Sequence, residues 1–142
     1  MATPVEAAFR RAVAGLTALK VQWALIGGLA ISVRSVPRFT KDLDFAVAVA
    51  GDPEAEVVAG ATRLDVLPQQ TAPVASTGHL IALKVLAGRN QDLTDLESLI
   101  PGAPAADLDV ARNAVKLIQA RGFNREQDVV ADLEKLIAGM RR

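Results

Sequence analysis

Residues 24–47 read ALIGGLAISVRSVPRFTKDLDFAV, and this stretch decides the fold. An apolar segment runs into Gly27-Gly28, and thirteen residues then separate the second glycine from Asp42. The pattern predicts a strand, a turn built on the glycines, a short helix that stops before Pro37, and a second strand that carries Asp42.

Two carboxylates follow the glycine turn one residue apart. Asp42 and Asp44 are expected on one strand over 41–49, where alternation would place both side chains on one face. Beyond the carboxylates this strand is apolar on both faces, so it is expected to be central in its sheet. Neighbouring carboxylates repel each other and are costly to desolvate unless a cation compensates them. A divalent metal is the natural compensator, and a glycine pair before a helix is a natural phosphate cradle. An Asp-x-Asp triplet alone also occurs at solvated strand ends, so its combination with the glycines indicates a metal-bound nucleotide.

The composition limits the class of protein. A length of 142 residues fits one domain, which we expect to comprise an αβ core over 1–75 and a helical part over 76–142. Sixteen basic residues balance sixteen acidic ones, so no global positive field favours non-specific nucleic-acid binding. The absence of cysteine excludes disulfides, thiolate zinc sites and cysteine nucleophiles. Neither a signal-peptide pattern nor a membrane-spanning apolar run is evident, so a cytoplasmic protein that does not enter the membrane is expected.

The predicted fold class is α+β, with a small mixed β-sheet followed by a helical C-terminal half. Thr3-Pro4 and Glu6 favour a first helix that runs to about Lys20 and buries Leu19. Pro73 cannot donate to a ladder, so its strand is expected at a sheet edge. The other predicted helices cover 29–35, 54–59, 78–87, 93–99, 107–120 and a last segment opened by Asn124 and Gln127, and the strands cover 21–26, 41–49, 63–67 and 72–75.

Two blocks of the chain carry a family resemblance. The glycine pair together with DLDF at 42–45 resembles the signature of the DNA polymerase β-like nucleotidyltransferase superfamily. RFTKDLD at 38–44 is similar to the Arg-x-Thr-x-Asp-x-Asp stretch of nucleotidyltransferase toxins of the AbiEii type. HLIALKVLAGRNQDLTDL at 79–96 resembles their second block, a lysine-bearing helix followed by Arg-x-x-Asp-x-x-Asp. The blocks span roughly residues 22–100, the core of the chain.

The resemblance implies a role for each matched residue. It implies that Asp42 and Asp44 hold magnesium, with manganese as an alternative, and that Lys84 neutralises the triphosphate or orients the acceptor. It also implies that Asp92, or alternatively Asp95, positions Lys84 or the acceptor end. Read without the resemblance, Lys84 either snorkels to solvent or meets an anion, and the alternative interpretation of Asp92 is an acid at a helix N-terminus that the dipole favours. The implied nucleotide-binding residues are Gly27, Gly28, Arg38, Thr40 and Lys84, whereas Arg34 is interpreted as a surface residue.

The implied activity is magnesium-dependent transfer of a nucleoside monophosphate from an NTP to a hydroxyl of RNA, such as tRNA, or of a protein. The implied setting is a toxin–antitoxin system, with an antitoxin protein as partner. A sheet edge left bare by the strands that this chain lacks would favour self-association into a homo-oligomer or binding of a partner. Members of the superfamily usually carry a third carboxylate on a later strand, and this chain is too short before Arg63 for that strand pair. Three alternatives are open. Two carboxylates suffice to hold the metal, or Asp65 supplies the third, or the chain is a degenerate module that binds nucleotide or a protein partner without turnover.

Overall fold

The computed structural model describes residues 3–35, 37, 40, 42–48 and 54–141. These form two compact units, Met1–Ser76 and Thr77–Arg142. The first contains a four-stranded mixed sheet with helices, and the second is helical, so the expected α+β class is confirmed. The single-domain organisation stays a prediction, although the units divide where the core and helical part were expected to meet. Within the described residues, no helix is long and apolar enough to cross a membrane.

The first unit alternates helices and short strands. Strand β1 pairs antiparallel with β2 and parallel with β4, and β4 pairs antiparallel with β3. The strand order is therefore β2-β1-β4-β3. The elements are α1 (Pro4–Ala18), β1 (Trp23–Ile26), α2 (Gly27–Arg34), β2 (Asp44–Val47), α3 (Glu54–Ala59), β3 (Thr62–Leu67) and β4 (Gln70–Val74).

Helix α1 begins as the sequence predicts and ends two residues earlier. The Thr3 side chain accepts a hydrogen bond of 3.1 Å from the backbone N–H of Glu6, which caps the first turn. The helix ends at Ala18, and Lys20 adopts a φ of 57° that no helix can continue. Leu19 therefore leaves the buried stripe and is 71% exposed, so the expectation that it packs in the core is wrong.

The core of the first unit is built around β1. Ala24 and Leu25 are fully buried because β1 has a strand on each side. The ring of Phe45 on β2 stacks on Phe9 of α1 at 6.2 Å and meets Trp23 edge-on at 5.5 Å. Three of the chain's five aromatic residues therefore lock α1 and β2 onto the central strand.

Two expectations about strand position are wrong. Strand β2, expected to be central, lies at one edge, and β4, expected at an edge because of Pro73, lies between β1 and β3. The pairing of β1 with β4 consists of the Leu25–Val74 register pair and a 3.0 Å hydrogen bond from Ala75 N–H to the Leu25 carbonyl. Pro73 is not required to donate in so short a ladder, which is why an interior strand tolerates it.

Arg34 is a structural residue and not the surface residue that was expected. Its Nε donates to the Ala75 carbonyl at 3.0 Å, and its Nη2 donates to the Val74 carbonyl at 2.9 Å and to Thr62 Oγ1 at 2.7 Å. One guanidinium thus ties the last turn of α2 to β4 and β3. Its fixed fork of donors suits carbonyl oxygens that converge at a strand end.

The second unit consists of α4 (Thr77–Ala87), α5 (Asn90–Leu99), α6 (Ala105–Ala120) and α7 (Val129–Met140). Gly78 lets α4 and α6 approach closely, since a Cβ there would overlap the Asp107 carbonyl and the Val110 side chain. Helix α7 opens at Asp128, whose side chain accepts from Ala131 N–H at 3.0 Å. The expected cap at Asn124 is wrong because the amide of that residue donates to a loop carbonyl instead.

Candidate functional site

The glycine turn and the second carboxylate are in direct contact. Helix α2 starts at Gly27, which has a φ of 75°, and β1 ends one residue earlier at Ile26, opposite Asp44. A Cβ on Gly27 would lie 3.0 Å from the Asp44 Cβ and 3.1 Å from its Cγ, and would overlap its carboxylate. Glycine is therefore required at this position both by its backbone conformation and by the close approach of Asp44.

Asp42 lies outside the strand, which corrects the expectation that alternation places it beside Asp44. Strand β2 begins only at Asp44 because its partner β1 ends at Ile26, so residues 42 and 43 lie beyond the pairing with β1. The loop itself fixes the backbone here, since the Thr40 hydroxyl donates to the Asp42 carbonyl at 3.1 Å. Thr40 therefore shapes the approach to β2, and its expected contact with nucleotide stays a prediction.

Both carboxylates face solvent. Asp42 and Asp44 are exposed, and among the described residues neither side chain has a hydrogen bond or ion pair. Gly28 is buried in the first turn of α2, and no side chain caps that helix. Arg38 lies outside the described residues, so its expected role in nucleotide binding stays a prediction.

The chemistry of this arrangement fits a hard divalent cation. Asp42 and Asp44 are two exposed carboxylates to which no cationic side chain among the described residues is bound, and they supply the oxygen ligands that Mg²⁺ prefers. The adjoining start of α2 has its backbone N–H groups directed toward the end where Asp44 lies, and such an end attracts anions, including phosphate. The residues present are therefore compatible with a metal-bound phosphate.

Asp65 does not complete this site. Its strand β3 and the Asp44 strand β2 are the two outer strands of the sheet. Three inter-strand steps separate them, about 14 Å in all, whereas a carboxylate oxygen binds Mg²⁺ at about 2.1 Å. Within the described residues, no group of three or more histidine, cysteine, aspartate or glutamate side chains is arranged to hold a metal.

The second sequence block forms a buried ion cluster in the second unit. Lys84 Nζ on α4 lies 2.8 Å from Asp92 Oδ1 and 2.9 Å from Asp95 Oδ2 on α5. The two acids are three residues apart, so both project from one face of α5 toward the lysine. Asp92 is fully buried and Asp95 is 2% exposed. Lys84 is therefore held between two acids and does not snorkel to solvent.

Arg89 supplies the second cation of the cluster. Its Nε donates to Asp92 Oδ2 at 2.8 Å, and its backbone N–H donates to the same oxygen at 3.0 Å. Burial alone would raise the pKa of Asp92, but the hydrogen bonds from Arg89 and Lys84 outweigh it and lower this pKa from 3.8 to about 2. The carboxylate is thus ionised at neutral pH, balanced by two neighbouring cations.

Both interpretations of Asp92 apply at once. Helix α5 begins at Asn90 and not at Leu93, so Asp92 lies in its first turn and caps it reciprocally with Arg89. The same carboxylate contacts Lys84, as the resemblance implied. The resemblance gave Asp95 only as an alternative to Asp92, whereas the lysine contacts both acids, and it gave Arg89 no part in the cluster. The spacing of Arg89, Asp92 and Asp95 by three residues was the available signal.

An open groove of about 410 Å³ lies beside this cluster in the second unit. Lys84 and Arg89 border it together with Lys135 of α7, and its apolar wall is formed by Leu93, Leu96 and Leu136. The candidate residues thus form two sets. Gly27, Gly28, Asp42 and Asp44 belong to the first unit, and Lys84, Asp92 and Asp95 belong to the second.

The chain matches no model of a known protein family and no curated protein. The case for a nucleotidyltransferase therefore rests on the residues themselves, their order along the chain and the geometry within each unit.

Proposed function

We propose that this protein is a magnesium-dependent nucleotidyltransferase. It transfers a nucleoside monophosphate from an NTP to a hydroxyl of RNA, with a tRNA end as the favoured acceptor, or of a protein. The observation that carries the proposal is the contact of Asp44 with Gly27 at the start of α2, with a second exposed carboxylate, Asp42, two residues earlier in the chain. The toxin-like setting and an antitoxin partner follow from the resemblance alone.

Each residue of the first set has a defined task in this proposal. Asp42 and Asp44 hold the metal ion, which neutralises phosphate charge and favours attack at the α-phosphorus. The start of α2 receives phosphate oxygens on its backbone N–H groups. The acceptor hydroxyl gives up its proton to water as its oxygen forms a bond to the α-phosphorus, the bond to the bridging oxygen breaks, and pyrophosphate leaves with that electron pair. The expected part of Lys84 and Asp92 in transfer rests on the resemblance alone.

The test is transfer of an α-labelled NTP, each of the four supplied separately, to total tRNA in the presence of magnesium. The wild-type protein is expected to label tRNA, and Asp42→Asn and Asp44→Asn are each expected to reduce the rate at least about 100-fold, since they remove charge stabilisation worth several kcal/mol. Asp109→Asn is the matched control, because it neutralises an acid that is 70% exposed and lies in the second unit.

A binding measurement separates loss of chemistry from loss of fold. Because Asp42 and Asp44 are exposed and pair with no cation in the described part of the chain, their variants are expected to unfold at the wild-type temperature in the absence of magnesium. Magnesium with NTP is expected to raise the unfolding temperature of the wild type and to leave both variants unchanged. A wild type that neither binds NTP nor labels any acceptor would refute the proposal.

One observation favours a second candidate, a degenerate module that binds nucleotide or a protein partner without turnover. Asp65 lies on the far edge of the sheet, so no third carboxylate on the described strands joins Asp44. Calorimetry distinguishes the two functions. Magnesium-dependent NTP binding with no transfer to tRNA or protein would favour the module, and label transfer would exclude it.

A further inference from the structure

Strand β3 is an outer strand of the sheet with an open edge. It reads TRLDVL over 62–67, pairs with β4 on one side, and has no described strand on the other. Arg63 and Asp65 are exposed, and within the described part of the chain neither side chain has a hydrogen bond or ion pair. An edge of this kind is a ready template for another strand.

Pro73 determines which backbone groups of β3 point outward. Arg63 lies opposite Pro73 in the register with β4. Since proline has no N–H, this pair does not exchange two hydrogen bonds, and the exchanging pair is its neighbour, Leu64 with Ala72. The N–H and C=O groups of Arg63 and Asp65 therefore point away from β4, toward the open edge.

We propose that β3 pairs antiparallel with β3 of a second copy of this chain, with Leu64 on the two-fold axis. In this register Arg63 lies opposite Asp65 of the partner subunit, and Asp65 lies opposite the partner subunit's Arg63. These are the residues whose backbone groups point outward, so each pair exchanges two N–H···O bonds. Each pair also brings opposite charges together across the strands.

Charge and hydrogen bonding select this register over its neighbours. A shift of one position sets outward-pointing backbone groups against inward-pointing ones and forms no ladder. A shift of two positions places Arg63 opposite itself or Asp65 opposite itself, and like charges directly opposite are destabilising. The register centred on Leu64 is therefore the self-complementary one. The irregularity between Asp65 and Leu67 ends the pairing and limits it to a closed dimer.

The test is sedimentation equilibrium of the full chain between about 10 µM and about 1 mM, the range expected for a short strand contact. The wild type is expected to dimerise. Arg63→Asp makes both positions acidic and Asp65→Arg makes both basic, so each variant alone is expected to dissociate at least about tenfold more readily. An equimolar mixture of the two variants, and the double variant Arg63→Asp/Asp65→Arg, are expected to regain the wild-type association.

The design separates the strand contact from other causes. Glu97→Lys on the exposed surface of α5 is the control for charge reversal and is expected to leave dimerisation unchanged. A misfolded variant would not be rescued by mixing, so the mixture reports on the pairing itself. A wild type that is monomeric throughout the range overturns the proposal. So do single variants that dimerise like the wild type, or a mixture and double variant that both stay monomeric. The readout is independent of nucleotidyl transfer.

Discussion

Removing the lysine of the buried cluster is expected to destabilise the protein strongly. In Lys84→Met the apolar stem is retained, and the ammonium that contacts Asp92 at 2.8 Å and Asp95 at 2.9 Å is lost. Asp92 keeps Arg89, but the two buried carboxylates lose the one ammonium that both of them contact. Breaking a buried pair by deleting one partner costs about 3–5 kcal/mol, a large part of the 5–15 kcal/mol of a typical domain.

The assay is urea unfolding followed by circular dichroism at pH 7 and at pH 4.5. The stability deficit of Lys84→Met is expected to shrink at the lower pH, because loss of the Lys84 hydrogen bond raises the pKa of Asp92 and protonation of this carboxylate then removes a buried charge. Lys84→Met/Asp95→Asn removes one charge of each sign and is expected to recover part of the loss at pH 7. Lys116→Met, on an exposed position of α6, is the control and is expected to stay within about 0.5 kcal/mol of wild type.

Two results would refute this reasoning. One is a loss below about 1 kcal/mol at pH 7, which would mean that solvent replaces the lysine. The other is a deficit of equal size at both pH values, which would assign the loss to packing and not to charge.

Three further perturbations test other parts of the structure. Gly27→Ala is expected to lower the free energy of unfolding in urea by about 2–4 kcal/mol, because it combines a positive φ with overlap of Asp44. Gly15→Ala, in open space on α1, is the control and should raise it by about 0.5–1 kcal/mol. Equal effects of the two substitutions would contradict the close approach of Asp44 to Gly27. Arg34→Met is expected to cost about 2–4 kcal/mol in the same assay because two strand-end carbonyls lose charged donors, and a neutral outcome would show that water replaces them. The pKa of Asp92 falls from 3.8 unfolded to about 2 folded, so its contribution of about 2 kcal/mol is present above pH 3.8 and lost as the pH falls through 2. The stability difference between wild type and Asp92→Asn should accordingly narrow by that amount from pH 5 to pH 2, and a constant difference would place the carboxylate outside the ion cluster.

The local elements were predictable because their signals lie within one turn of chain. Thr3 and Glu6 marked the start of α1, and the cap forms between these two residues. The apolar run into Gly27 correctly placed β1 before α2, and α3 has its predicted bounds over 54–59. The predicted helix ends were less accurate, since Leu19 lies beyond the end of α1 and is exposed, and Asn124 does not cap α7.

Relations between strands were not predictable from local signals. No residue near Pro73 indicates that its strand pairs with β1 over so short a stretch that the missing N–H is not needed. Nor does the local sequence indicate that Arg34, some forty residues earlier, binds the carbonyls at the end of that strand. The placement of Asp65 on the edge opposite Asp44 likewise depends on the order of all four strands. Spacing along the chain carries no information on that order.

The candidate site divides in the same way. Residue type and spacing, which are local properties, predicted that Gly27, Asp42 and Asp44 lie together, and the family resemblance implied that Asp92 positions Lys84. Only the tertiary structure decided that Asp44 touches Gly27 while Asp42 lies outside the strand, since that depends on where β1 ends against β2. The contact of Lys84 with both Asp92 and Asp95 also depends on the tertiary structure, because the packing of α4 against α5 brings the ammonium within 3 Å of both carboxylates.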